Sequence, residues 1–177
     1  MIHLDEIKKL MPYLTTARAE GFLDPLNAAM AEFDITTPLR EAAFLAQVAV
    51  ESGELKYVRE LASGAAYEGR AELGNTHAGD GAKFRGRGLL QITGRDGYAR
   101  CGDALGLDLV LAPELLEDPV NACRSAAWYW KRHGLNELAD QENFLLITKR
   151  INGGTTGYPA RQTYYEHAKS ILQGDTA

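Results

Sequence analysis

Two glutamates nine positions apart, Glu51 and Glu60, are the residues of this chain whose types and spacing point most directly to chemistry. Glu51 closes the apolar run EAAFLAQVAVES, two residues before Gly53. On a helix, Phe44, Val48 and Glu51 fall at i, i+4 and i+7 and share one face. Phe44 and Val48 need a core, so Glu51 is carried inward with them. Burial disfavours an ionised carboxyl, and so do the free carbonyls of a last helical turn. A glutamate kept protonated near neutral pH is what a general acid requires. The same pattern also fits a helix-end glutamate turned out to solvent.

Glu60 follows Tyr57 and Val58, where the chain enters a polar loop. A carboxylate in wet surroundings stays ionised and can take a proton from water. Two carboxyls whose surroundings push them to opposite protonation states form an acid/base pair. Glu54, Glu68, Glu72 and Asp80 are close by in the sequence, and spacing alone does not choose Glu60 over them.

Helices must position these groups. Leu4, Ile7, Leu10, Met11 and Leu14 set a first helix over 4–19, and a short second one covers 24–34. Thr37-Pro38 is a start signal for the helix that ends at Gly53. Asp118-Pro119 repeats that signal before VNACRSAAWYWKRH. Asp140 is expected to cap QENFLLITKRI, and Pro159 to open ARQTYYEHAKSIL. Residues 63–88 read differently, rich in Gly, Ala, Asp and Asn, and long irregular segments of this kind are usually functional or disordered. LLQIT (89–93) reads as a short strand beside the loop. If it is one, Gln91 and Thr93 point to the same face. The expected fold class is mainly α (α+β, lysozyme-like): a single helical domain with a small β-sheet and loop region lining a cleft.

The chain has 177 residues, 45% hydrophobic and 24% charged, which suits one globular domain and falls short of two. The net charge of −5 argues against nucleic acid as a partner. A basic stretch, Lys83, Arg85, Arg87, Arg95 and Arg100, reads either as a working surface or as a solvated face with structural arginines. The amphipathic, charged N-terminus lacks a signal-peptide pattern, and Ala42–Val50 is too short to span a bilayer. Cys101 and Cys123 read as buried free thiols. The four histidines are scattered and no metal-site spacing occurs, so neither metal nor cofactor is expected.

The segment FRGRGLLQITGRDGY (84–98) closely resembles the signature of the family 19 glycoside hydrolases, which comprise chitinases and many phage endolysins. Further blocks resemble the family in the same order: AAFLAQVAVESGEL (42–55), LGNTHAGDG (73–81), INGG (151–154) and the helix of Arg161. Together they span about residues 25–173. The resemblance implies that Glu51 is the general acid, Glu60 the general base, and Thr93 a hydroxyl that helps hold the attacking water. It implies that Gln91, Tyr98 and Asn152 line the sugar cleft and that Arg161 stands near the catalytic carboxylates. Asn152 also fits a helix C-cap, and Arg161 a structural ion pair. There are departures: many relatives have His where this chain has Val50, and no aromatic or Asn follows Glu60. Glu68 is the alternative base.

The chain lacks the cysteine framework of plant chitinases and shows no separate wall-binding module over 1–177, which favours the phage endolysin branch. The resemblance then implies a monomeric enzyme that hydrolyses β-1,4 bonds of peptidoglycan glycan strands with inversion. It would have no cofactor and no stable membrane association. It would be made in the host cytoplasm and released to the periplasm and wall by a holin. The alternatives are a chitinase acting on chitin oligomers and an inactive sugar-binding module.

Overall fold

A computed structural model describes residues 1–174. Its elements are α1 (Leu4–Leu10), α2 (Thr16–Glu32), α3 (Pro38–Ser52), α4 (Asp80–Lys83), α5 (Arg95–Leu105), α6 (Pro119–Arg132), α7 (Leu135–Asp140), α8 (Phe144–Asn152) and α9 (Tyr158–Gln173), with three short 3-10 turns. Among the described residues no helix is long and apolar enough to cross a membrane.

α3 is the central helix. Its N-terminus is capped as its sequence predicts, Thr37 Oγ1 accepting from the Arg40 N–H at 3.3 Å. Every residue from Glu41 to Ala49 is buried. Small alanines on this helix let α9 pack along it, and α7 closes another side. Phe44 meets Trp130 of α6 edge to face at 5.4 Å. Full burial of such large apolar side chains contributes about 1.5–3 kcal/mol each. A smaller cluster of Phe84, Ile92, Tyr98, Cys101, Leu105, Leu109 and Leu116 forms a second core around α5.

Local signals and long-range packing part company in several places. The first expected helix stops at Leu10, and α2 then runs through both Gly21 and Pro25. Proline removes one helical hydrogen bond, but Ala19, Phe22, Leu26, Ala29 and Met30 form one buried stripe that holds the helix together. Asp118 caps α6 as expected, accepting from Val120 and Asn121. Asp140 instead ends α7 and pairs with Arg40 at 2.6 Å, while Asn143 caps α8. Pro159 stands at the opening of α9. LLQIT is not a strand: residues 88–91 turn, Gln91 is left-handed (φ 55°), and the expected sheet reduces to isolated bridges of Arg87 with Arg59 and Ile92.

The turn after α3 is unusual. Gly53, Glu54 and Leu55 are left-handed in succession, at φ 58°, 58° and 62°. Only the first is a residue that adopts this conformation without steric cost. The surroundings fix the other two. Leu55 is fully buried, and its N–H donates to Ser52 Oγ at 2.8 Å. The Glu54 carboxylate accepts from the Tyr13 N–H at 2.6 Å and from the Tyr164 hydroxyl at 2.5 Å.

Candidate active site

The last turn of α3 delivers Glu51 to a cleft of about 300 Å³. Glu51, Tyr57, Arg59, Glu60, Leu61 and Gln91 line it. The left-handed turn reverses the chain, so Glu60 returns to the cleft that Glu51 enters.

Glu51 is partly exposed, and its partner is a guanidinium. Arg161 Nη2 donates to Glu51 Oε1 at 2.5 Å. Arg161, on α9, is buried, and its Nη1 donates to Gln47 Oε1 at 2.5 Å. Gln47 Nε2 donates in turn to Thr148 Oγ1 at 2.8 Å. A chain of hydrogen bonds therefore runs from α8 through α3 and α9 to the acid. Bonds to charged groups are the shorter and stronger kind. The carboxyl is not the isolated buried acid that the apolar face suggests. Glu51 Oε2 receives no hydrogen bond among the described residues.

Glu60 is held in a matching way. Its Oε2 accepts from the Tyr67 hydroxyl at 3.0 Å and from the Gly86 N–H at 2.9 Å, and its own N–H donates to the Gly86 carbonyl at 3.0 Å. Burial, and then the Glu60 carboxylate, push the Tyr67 phenol above its ordinary value, so it remains an O–H donor. A Cβ at Gly86 would press on Glu60 Oε2 and the Gln91 side chain, so a larger residue there would displace both from the positions described. Glu60 Oε1 has no hydrogen-bond partner among the described residues. Each carboxyl is thus anchored through one oxygen and leaves the other available.

The neighbouring acids are engaged elsewhere. Glu54 is buried in the turn described above. Glu72 pairs with Arg70 at 2.7 Å. Asp80 is clasped by Arg95 through both oxygens, at 2.5 and 2.9 Å, which holds its carboxyl down at about 2. Glu68 spends its oxygens on the N–H groups of Gly79 and Gly81, at 2.7 and 2.8 Å, stapling the start of α4.

The other expected residues are dispersed. Gln91 lines the cleft. Thr93 lines an adjoining hollow that also touches Gln91, and its Oγ1 donates to the Gln91 carbonyl at 3.3 Å. Tyr98 corrects the expectation of a cleft-lining tyrosine. It is fully buried, donates to the Arg85 carbonyl at 2.5 Å and accepts from Arg87 Nη1 at 3.0 Å. An aromatic with a polar tip satisfies core and network together, so this residue supports the cleft from beneath. Asn152 ends α8, exposed, with its amide 3.5 Å from the Thr156 carbonyl. Cys101 and Cys123 are buried free thiols, and burial raises Cys101 to about 12.

Sequence reasoning missed Gln47, Tyr67 and Asn75. Gln47 had a signal: it is a polar residue in an apolar run, one turn before Glu51. Asn75 is fully buried, accepts from the Arg95 N–H at 2.8 Å and donates to the Tyr67 carbonyl at 2.9 Å. It therefore latches the loop that carries Tyr67 to the start of α5.

The sequence profile described as chitinase class I, glycoside hydrolase family 19, matches residues 31–144. A Haemophilus influenzae protein described as glycosyl hydrolase family 19 domain-containing is 31% identical, over 93% of this chain and 94% of its own length. An Arabidopsis thaliana endochitinase is 36% identical over 77% of the chain and 49% of its own length. The chain spans about half the length of the Arabidopsis endochitinases it matches. A solved bacterial family 19 chitinase has the same fold, with a TM-score of 0.78 over 97% of this chain and 94% of that one at 24% identity.

Proposed function

The chain belongs to the glycoside hydrolases of family 19, and we propose that within this family it is an endolysin, cutting β-1,4 bonds in the glycan strands of peptidoglycan. The observation that carries the reading is the pairing of Glu51 and Glu60 on one cleft, each anchored through one oxygen with the other free.

Glu51 protonates the glycosidic oxygen. Glu60 takes a proton from a water on the opposite face of the sugar, and Thr93 holds that water from the Gln91 side. Inverting pairs stand roughly 6.5–9.5 Å apart to leave room for the water. Arg161 and Gln47 orient the acid. Gln91 meets the sugar, and Asn152 reaches it from the end of α8. The two free thiols, in place of a disulfide framework, support the endolysin branch. Synthesis in the host cytoplasm and release by a holin to the periplasm and wall belong to the same proposal.

Chitin is the second reading, favoured by the endochitinase names of the plant relatives. Turbidity of permeabilised Gram-negative cells, measured beside colour release from dyed chitin, separates the two. Clearing of the cells without colour supports the endolysin, colour without clearing supports the chitinase, and neither would leave a sugar-binding module. Identification of the new reducing-end sugar then fixes the linkage.

A further inference from the structure

Past Gln91 the cleft continues into a hollow of about 330 Å³, lined by Thr93, Gly97, Arg100, Trp128, Tyr129 and Arg132 among others. It adjoins the cleft of Glu51 and Glu60, with Gln91 lining both. No carboxylate lines it. That is unexpected in a chain of net charge −5. Arg40, Arg87, Arg95, Arg124 and Arg161 each hold a carboxylate. Arg100 and Arg132 hold none among the described residues. Arg132 instead lies over the Trp128 ring, 5.7 Å from its centre. The basic stretch noted in the sequence is thereby divided. Arg87 and Arg95 are structural, and Arg100 is delivered to this hollow by α5.

Unpaired guanidinium groups around a concave surface focus positive potential on whatever enters it. Arginine matches the planar, two-oxygen geometry of a carboxylate. The Trp128 ring adds an apolar surface for the carbon face of a sugar or its branch. We propose that this hollow is a subsite for an acidic substituent on the glycan, a carboxylate borne on a lactyl ether or its peptide branch. Arg100 and Arg132 there select carboxylated strands over neutral ones. The inference rests on the peptidoglycan reading and names the part of that substrate which the site distinguishes. Neither arginine touches the reacting bond; their work is specificity, obtained by giving one substrate a partner that the other lacks.

The test uses soluble peptidoglycan fragments and the same fragments with their carboxyls amidated. The enzymes compared are the wild type and the double variant Arg100→Gln/Arg132→Gln. Both arginines are exposed and free of ion pairs, so the thermal midpoint should stay put. Amidation should lower the wild-type kcat/KM about tenfold, mostly through KM, as expected for lost hydrogen bonds to charged groups. The double variant should cut both substrates alike, at the level of the wild type on amidated strands. Added salt should erode the wild-type preference and leave the variant flat. A wild type indifferent to amidation overturns the subsite, and so does a variant that keeps the preference. Wild-type enzyme that cuts neither fragment but cuts chitin oligomers removes the peptidoglycan reading itself, a result distinct from either.

Discussion

Arg161 and Glu51 lie 110 positions apart in sequence and 2.5 Å apart in space. The guanidinium is buried, so it has little freedom to leave, and it keeps the Glu51 carboxyl pointed at the cleft. Glu51→Gln preserves this arrangement, because an amide oxygen also accepts from Arg161. The variant should therefore fold normally and lose activity, since an amide cannot deliver a proton. General acid catalysis supplies about 10²–10⁴-fold. Residual lysis of permeabilised cells should be at most a few per cent, and near-wild-type lysis would remove Glu51 from the role.

Glu60 and Glu68 should separate by which property fails. Glu60→Gln keeps an acceptor for Tyr67 and Gly86 and should fold, with activity reduced about as severely as in the acid variant. Glu68→Gln replaces one of two acceptor oxygens with a donor that faces a backbone N–H. It should cost about 1–3 kcal/mol of stability and keep most of the turnover. Thermal unfolding and hydrolysis rates on the same preparations give the ranking, and the reverse pattern would move the base to Glu68.

Thr93 offers a hydroxyl and a methyl in one side chain. Thr93→Ser keeps the first and Thr93→Val the second. Serine should retain most of the hydrolysis and valine should lose it, with little change in thermal midpoint for either. Activity that survives in Val and fails in Ser would make Thr93 a packing residue.

Tyr98→Phe should act through stability. The hydroxyl serves the Arg85 carbonyl and Arg87 from inside the core, and leaving both short of a partner costs about 1–3 kcal/mol. In a chain of this size that is about 2–12 °C of thermal midpoint. At a temperature where both proteins are folded, turnover should differ little. A stable but inactive variant would return Tyr98 to the sugar.

The Asp80–Arg95 pair predicts part of the acid sensitivity. Asp80 falls from its ordinary 3.8 to about 2 in the fold. A carboxyl held low contributes stability that is complete above its unfolded value and is lost as pH falls through the folded one. Asp80→Asn should therefore be less stable than wild type at neutral pH. The gap should narrow between about pH 4 and pH 2. Thermal midpoints measured across that range test it, and a gap that stays constant to pH 2 would dismiss the pair as a source of stability.

Capping is local chemistry, which is why Thr37-Pro38, Asp118-Pro119 and Gly53 were legible as helix limits. The Glu51–Glu60 spacing was legible as well, because helix geometry and a loop boundary are both written within a dozen residues. What was not legible depends on partners far along the chain. α2 passes Pro25 because Phe22 and Leu26 find a core that no local rule anticipates. Asp140 looked like a cap until Arg40, 100 positions away, took it. A tyrosine in a cleft-lining motif reads the same whether its ring faces sugar or core, and Tyr98 faces the core. Gln91 in the left-handed region has no sequence mark comparable to a glycine, so the short strand was the simpler expectation and the wrong one.

Glu54 and Leu55 each occupy backbone that costs an ordinary residue about 1–2 kcal/mol, at the turn that joins the two proposed catalytic glutamates. In an enzyme under pressure only to endure heat, this would be among the first places to relax. Yet a softer turn would let Glu60 drift relative to Glu51, and an acid and a base that drift no longer share one bond between them. The molecule trades some endurance for a fixed reach, and Tyr13, Ser52 and Tyr164 are the residues that keep the trade in force. Searches for hardier variants should find their gains on the outer faces of the helices and meet a wall at this corner, where thermal gain and catalytic loss arrive together.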